Sequence, residues 1–167
     1  QLLRIRGEAM QSATPVGTGA MAAIIGSDIN KIESLIAVFN SNDSSEIIQI
    51  ANDNSPSQIV VSGHKNAVKK LCEMATKIGV KKSLMLPVSA PFHCDLMSPA
   101  ADIMSTALAK CKFAPPRLKV YCNVTASLEE DVKQLQSNLV AQITARVRWR
   151  ETIINLSENG VTNFVEI

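Results

Sequence analysis

The sequence predicts an α/β protein, on three observations. Short apolar runs of strand length alternate with longer runs of helical period. Glycine, proline or polar clusters punctuate nearly every junction. In the first half the runs follow the order strand, helix, strand, strand, helix, strand. Of 167 residues, 46% are hydrophobic and 19% charged, so the interior is generous and the surface modest. The length suits one domain, or one domain with a smaller one inserted.

The opening QLLRIRGEAMQSA is helical by period, with Leu2, Leu3, Met10 and Ala13 on one side and Arg4, Glu8 and Gln11 on the other. Arg6 falls in the middle of the apolar side. It is either an arginine that snorkels or pairs with a structural carboxylate, or a fixed guanidinium awaiting an anion, for which its planar fork suits a carboxylate.

GAMAAIIG then reads as a buried strand closed by Gly26, and Asp28 as the cap of a helix burying Ile29, Ile32, Leu35, Ile36 and Phe39. NSNDSSE is a polar loop. IIQIAN and QIVVSG flank the turn DNSPS as two strands. A helix from about Lys65 to Ile78 turns Val68, Leu71, Cys72 and Ala75 inward and stops at Gly79, and KKSLML is a last strand before Pro87. This order is the split βαβ layout of a ferredoxin-like unit, βαββαβ, over residues 18–86.

Beyond it, Pro87 and Pro91 are expected to hold the chain around His93 extended. Ser98 caps, and Pro99 starts, a helix to about Lys110 that is apolar on more than one side through Ile103, Met104, Ala107 and Leu108 and should lie deep. RLKVYCNV reads as a strand. Asp131 to about Thr144 reads as a helix burying Val132, Leu135, Leu139 and Ile143, Glu151–Glu158 as a short helix ending at Gly160, and TNFVEI as a final strand.

Several functions are disfavoured. A net charge of +2 offers no extended positive field for nucleic acid. Apolar stretches are too short and interrupted to span a bilayer, and no leader is visible, so a soluble, cytoplasmic protein is expected. Cys72, Cys94, Cys111 and Cys122 lack the spacing of a zinc site or a disulfide framework, so no metal is expected and the thiols are read as reduced. GTGAMA fits a dinucleotide fingerprint only formally, because a helix precedes it and a strand follows.

SAPFHCDLM puts His93 in an apolar or small-residue run. A group that titrates near neutrality is costly there unless it is hydrogen-bonded or has a chemical task. No GxSxG elbow occurs in the chain. Ser89 has no sharp turn to expose it as a nucleophile, and Cys94 adjoins His93 with a diverging side chain. His64, at a helix start, reads as a surface residue.

LLRIRGEAMQ, NDNSPSQIVVSGH, LPVSAPFHCDLM with PAAD, and LVAQITARVRW together resemble the malonyl-CoA:acyl carrier protein transacylases of fatty acid synthesis, almost end to end. The resemblance implies an α/β-hydrolase-like lobe of parallel strands, to which residues 1–17 and 87–167 would contribute, with the ferredoxin-like unit inserted. By resemblance His93 is the base that deprotonates an elbow serine and later the pantetheine thiol, and Gln142 orients it through its backbone carbonyl. Arg6 grips the malonyl carboxylate, Met10 lines the pocket, Asn54 lies in the NxNSP loop near the site, and Phe92 favours malonyl over methylmalonyl groups. Malonyl-CoA and acyl carrier protein are the implied partners, with no cofactor.

In the family a Gly-Gln-Gly segment and a GHSLGE elbow come earlier and a GPG segment later; the expectation is an internal portion lacking the serine, inactive and poorly stable alone. The lysines 65, 69, 70, 77, 81 and 82 would either attract an acidic carrier or form a solvated face. The rivals are a binding module and a non-catalytic scaffold. The central strand runs carry none of the aromatics on which an RNA-recognition domain stacks bases.

Overall fold

The computed structural model describes residues 1–42, 45–88 and 90–165. Its elements in order are α1 (Leu2–Ser12), β1 (Gly19–Ile25), α2 (Ile29–Asn42), β2 (Ile48–Ser55), β3 (Gln58–His64), α3 (Lys65–Lys77), β4 (Lys82–Met85), α4 (Ser98–Ala109), β5 (Val120–Cys122), β6 (Ser127–Glu129), α5 (Val132–Ala141) and α6 (Trp149–Glu158), with a 3-10 turn at Asp95–Met97 before α4.

β1 to β4 form one sheet in the order β2-β3-β1-β4, with every neighbouring pair antiparallel. Two interleaved β-α-β crossovers produce this order, because each crossover leaves room for one strand between the two it joins. Ala22 and Ile24 of β1, Ile48 and Ile50 of β2 and Val61 of β3 meet Ile32, Leu35 and Phe39 of α2 and Val68, Leu71 and Ala75 of α3 in one core. Asp28 accepts from the Lys31 N–H at 3.0 Å, which caps α2. Met21, Ala23, Ala51 and Val60 form a smaller cluster, with Phe92 packed against it. Phe92 also packs against the cluster of Ala9, Met10, Met97, Ala100, Met104, Leu108 and Ile143, and so joins the sheet to the helices α1 and α4.

Two irregularities interrupt β2. Its register against β3 shifts between Ile50 and Asn52 and again between Asp53 and Ser55, which leaves Ala51 and Asn54 as the extra residues of two bulges. Ala51 faces the cluster around Met21 by ordinary alternation after Ile50, and the first bulge shifts the phase beyond it, so that Asn52 stands opposite Val60 of that same cluster. The outer edge of β2 is covered by Val147, which donates to Ala51 O at 2.7 Å and accepts from the Asp53 N–H at 2.8 Å.

Several expectations need correction. Leu3 is 83% exposed, and α1 with its C-cap turns Leu2, Ile5, Ala9, Met10 and Ala13 inward, positions linked by steps of three and four residues. α4 is amphipathic, not deep: Ala100, Met104 and Leu108 are buried at intervals of four, and Ile103 is 46% exposed. Ser98 is not its cap, since the hydroxyl donates back to Asp95 O at 2.7 Å. The run at 117–124 pairs only through Val120–Cys122, with a short β6 that the sequence did not flag, because a strand extends only as far as it has a partner. In α5, Asn138 is buried and Leu139 exposed. Residues 162–165 form no strand, and Glu166 and Ile167 lie outside the described residues, as does Ser89. His64 is half-buried, and its Nδ1 accepts from the Ile47 N–H at 2.8 Å.

Candidate active site

His93 occupies a turn that is packed from below. Gly19 opens β1 under Pro91, and a Cβ on Gly19 would lie 2.3 Å from the proline Cγ, so only glycine permits this approach. Cys94 is buried, its Sγ donates to Pro91 O at 3.1 Å, and the Ser62 hydroxyl donates to Sγ at 3.6 Å. Burial pushes the Cys94 thiol up, so this cysteine is a packing group and a poor nucleophile. The backbone at His93 is not extended as expected but left-handed, with φ +57°. Such a conformation is uncommon outside glycine and costs of order 1 kcal/mol.

The left-handed turn aims the ring at the end of α5. Nδ1 lies 3.0 Å from Gln142 O and 3.1 Å from Ala145 O. These carbonyls belong to the final turns after α5, where a helix leaves acceptors without intrahelical donors. Ile143, fully buried between them, anchors the segment. Since a carbonyl can only accept, Nδ1 must carry the hydrogen, and Nε2 bears the lone pair. Burial lowers the His93 pKa most; the bonds to Gln142 and Ala145 raise it, and the charge of Arg6 lowers it. The net effect is a pKa below the ordinary 6.5, so the imidazole is neutral at pH 7 and able to take a proton at Nε2.

Arg6 is half-buried on α1, and its Nε is buried without a hydrogen-bond partner among the described residues. An unpaired guanidinium donor is costly, and a carboxylate would remove that cost. Met10, one turn further, is buried in the cluster against which Phe92 packs. A separate cleft of about 440 Å³ opens at His93 between β2, Asp95 and Ala145–Arg146; Arg6, Met10, Phe92 and Asn54 do not line it. Arg146 pairs with Glu33 of α2 at 2.8 Å beside it. Asn54 is half-buried at the second bulge of β2, inside a strand and not in a loop. Among the described residues, no group of three or more His, Cys, Asp or Glu side chains is placed to hold a metal ion.

Three features of the site were missed from sequence. Ala145 supplies the second acceptor through its backbone, which has no residue signature. Gln49 and Asp95 join β2 to the histidine turn: the Gln49 Nε2 donates to Asp95 Oδ2 at 2.9 Å and the Asp95 N–H donates to Gln49 Oε1 at 2.7 Å. Asp53, 1% exposed at its side chain, takes Arg150 of α6 in a bidentate pair, with Nε 2.9 Å from Oδ1 and a terminal nitrogen 2.7 Å from Oδ2. A lone acid between IIQIAN and QIVVSG was the available signal for Asp53.

A neutral histidine base on a mixed α/β frame beside a half-buried arginine suits acyl transfer, and the chain belongs to the acyl transferase domain family, whose family model matches residues 2–167. It is 36% identical to the malonyl CoA-acyl carrier protein transacylase of Haemophilus influenzae over 167 residues, which is 100% of this chain and 53% of that protein. Among solved structures it matches the acyl-carrier-protein-S-malonyltransferase of Bartonella henselae with TM-score 0.90 and 47% identity, covering 96% of this chain and 50% of that one. It also matches, at TM-score 0.91 and 38% identity over 96% of this chain and 51% of the other, a holo type II PKS acyl-carrier protein in complex with its malonyl-transacylase. The chain spans about half the length of the curated relatives it matches.

Proposed function

We propose that the whole protein is a malonyl-CoA:acyl carrier protein transacylase. In this reading Nε2 of His93 withdraws the proton of a serine from outside the 167 residues, and the serine oxygen attacks the malonyl thioester carbonyl. The carbon–sulfur bond breaks, and coenzyme A leaves as its thiol with the proton returned by His93. The pantetheine thiol of the carrier protein then gives its proton to the same nitrogen and attacks the acyl-serine, and the serine leaves with that proton. No cofactor is required.

Arg6 binds the free malonyl carboxylate, and uncharged acyl chains are disfavoured because they leave the guanidinium unpaired. Gln142, with Ala145, holds the ring tautomer in place of an aspartate. Met10 and Phe92 wall the acyl pocket, Phe92 against an α-methyl branch, and Asn54 borders it. Residues 18–86 are read as a ferredoxin-like subdomain inserted into an α/β-hydrolase-like lobe that includes 1–17 and 87–167. A cytoplasmic location fits this chemistry, and among the described residues no helix is long and apolar enough to cross a membrane.

The observation that carries the reading is the neutral His93, its Nδ1 held by two carbonyls and its field shared with an arginine whose Nε lacks a partner. The test is mass spectrometry of the whole protein after malonyl-CoA. Wild type gains one malonyl group; Arg6→Ala loses malonyl loading roughly 100-fold, the worth of a charge-assisted contact, with little change in acetyl loading. His93→Ala slows both by about 1,000-fold. Equal losses of malonyl and acetyl loading in Arg6→Ala contradict the role of Arg6.

A further inference from the structure

We propose that Gln49 is a positioning residue for His93, acting through a two-point clamp on Asp95. The amide of Gln49 meets both hydrogen-bonding groups that Asp95 offers, its backbone N–H at 2.7 Å and its carboxylate at 2.9 Å. One hydrogen bond would leave a hinge; two in opposite senses fix the orientation of the turn. Asp95 opens the 3-10 turn, where its N–H has no partner within the helix, and it stands two residues after the left-handed His93. A residue in that conformation persists only where its surroundings over-determine it. On the preceding side Pro91 rests on Gly19; on the following side Cys94 is buried against Ser62, and Gln49 adds a hold on Asp95.

The same strand sets the other half of the geometry. Two residues beyond Gln49, Ala51 accepts from Val147 at 2.7 Å, and Asp53 donates to Val147 O at 2.8 Å. Val147 lies two residues past Ala145, whose carbonyl holds Nδ1. β2 therefore grips the histidine turn with one side chain and the acceptor segment with its backbone, so the spacing between imidazole and carbonyls is referred to one rigid element.

The kinetic arm of the test rests on the acyl-transfer reading; a spectroscopic arm does not. In the whole protein, Gln49→Met keeps the side-chain length and removes both bonds. The expected result is a fall in kcat of about tenfold or more for malonyl and acetyl groups alike, with the KM for malonyl-CoA within about twofold. Gln49→Glu alone places a carboxylate against that of Asp95 and loses as much. Combined with Asp95→Asn it accepts from both the backbone and the new side-chain amide at position 95, and kcat returns to within about threefold of wild type. In ¹⁵N-histidine spectra the proton on Nδ1 of His93, assigned with His93→Gln, exchanges with solvent faster in Gln49→Met. Unchanged kcat and unchanged proton exchange in Gln49→Met overturn the proposal, as does a double variant no better than Gln49→Glu. A wild type that never takes up malonyl groups, with exchange still faster in Gln49→Met, refutes the acyl-transfer reading and leaves the positioning role standing.

Discussion

His93 shows how much one residue can be asked to do. Its pKa in the folded protein lies below the ordinary 6.5, so below that pH the unfolded chain binds more protons than the native one. Stability is therefore unaffected by this group well above pH 6.5 and falls as the pH drops through 6.5 toward the folded value. Urea melts of wild type and His93→Gln between pH 7.5 and 5 are expected to show a shallower acid loss in the variant; parallel slopes would remove His93 as the source. Gly19 acts by having no side chain. Gly19→Ala forces a Cβ against Pro91 and should cost about 1–3 kcal/mol in denaturant melts, with a loss of activity because Pro91 sets the histidine turn. Residues of the site differ in how visible they are in the sequence. A base inside an apolar run, and an arginine inside an apolar stripe, conflict with their surroundings and stand out in one dimension. Ala145 conflicts with nothing.

β2 is the element on which the site is assembled, and the ion pair of Asp53 with Arg150 secures it to α6. The two partners are unequal: the Asp53 side chain is 1% exposed and that of Arg150 is 27% exposed. Removing the arginine strands a buried carboxylate, whereas removing the acid leaves a guanidinium that reaches water. Arg150→Met is therefore expected to lower stability by about 3–5 kcal/mol and Asp53→Asn by clearly less, measured by chemical denaturation. Equal costs would show that the buried charge is not the source. Helices and strands from Gly19 to Met85 were legible because each has its own period and its own punctuation. The bulges of β2 were not, because a bulge is a relation to the neighbouring strand; the pattern predicted a strand end at Asn52 where the chain continues through Asn54 to Ser55.

In the molecule as a whole, buried apolar residues concentrate in the sheet and its two helices, while many of the large exposed ones, among them Leu118, Trp149, Phe164 and Val165, lie later in the chain. Hydrogen exchange should reflect this contrast. Amides of β1 and β3, the two central strands, are expected to exchange at least about 100-fold more slowly than those of the β5–β6 hairpin, whose two strands pair with no third strand among the described residues. Comparable protection in both would show that one cooperative unit spans the molecule. Element order and the identity of the unusual residues came from local chemistry: periodicity, caps, turn residues, and polar groups in apolar company are properties of neighbours along the chain. The tautomer of His93, the clamp of Gln49 on Asp95 and the pair of Asp53 with Arg150 join residues 46 to 97 positions apart, and the partner of each is chosen by packing. Covalent order sets which groups are present in a stretch of chain, and burial and hydrogen-bond geometry in three dimensions set which of them meet.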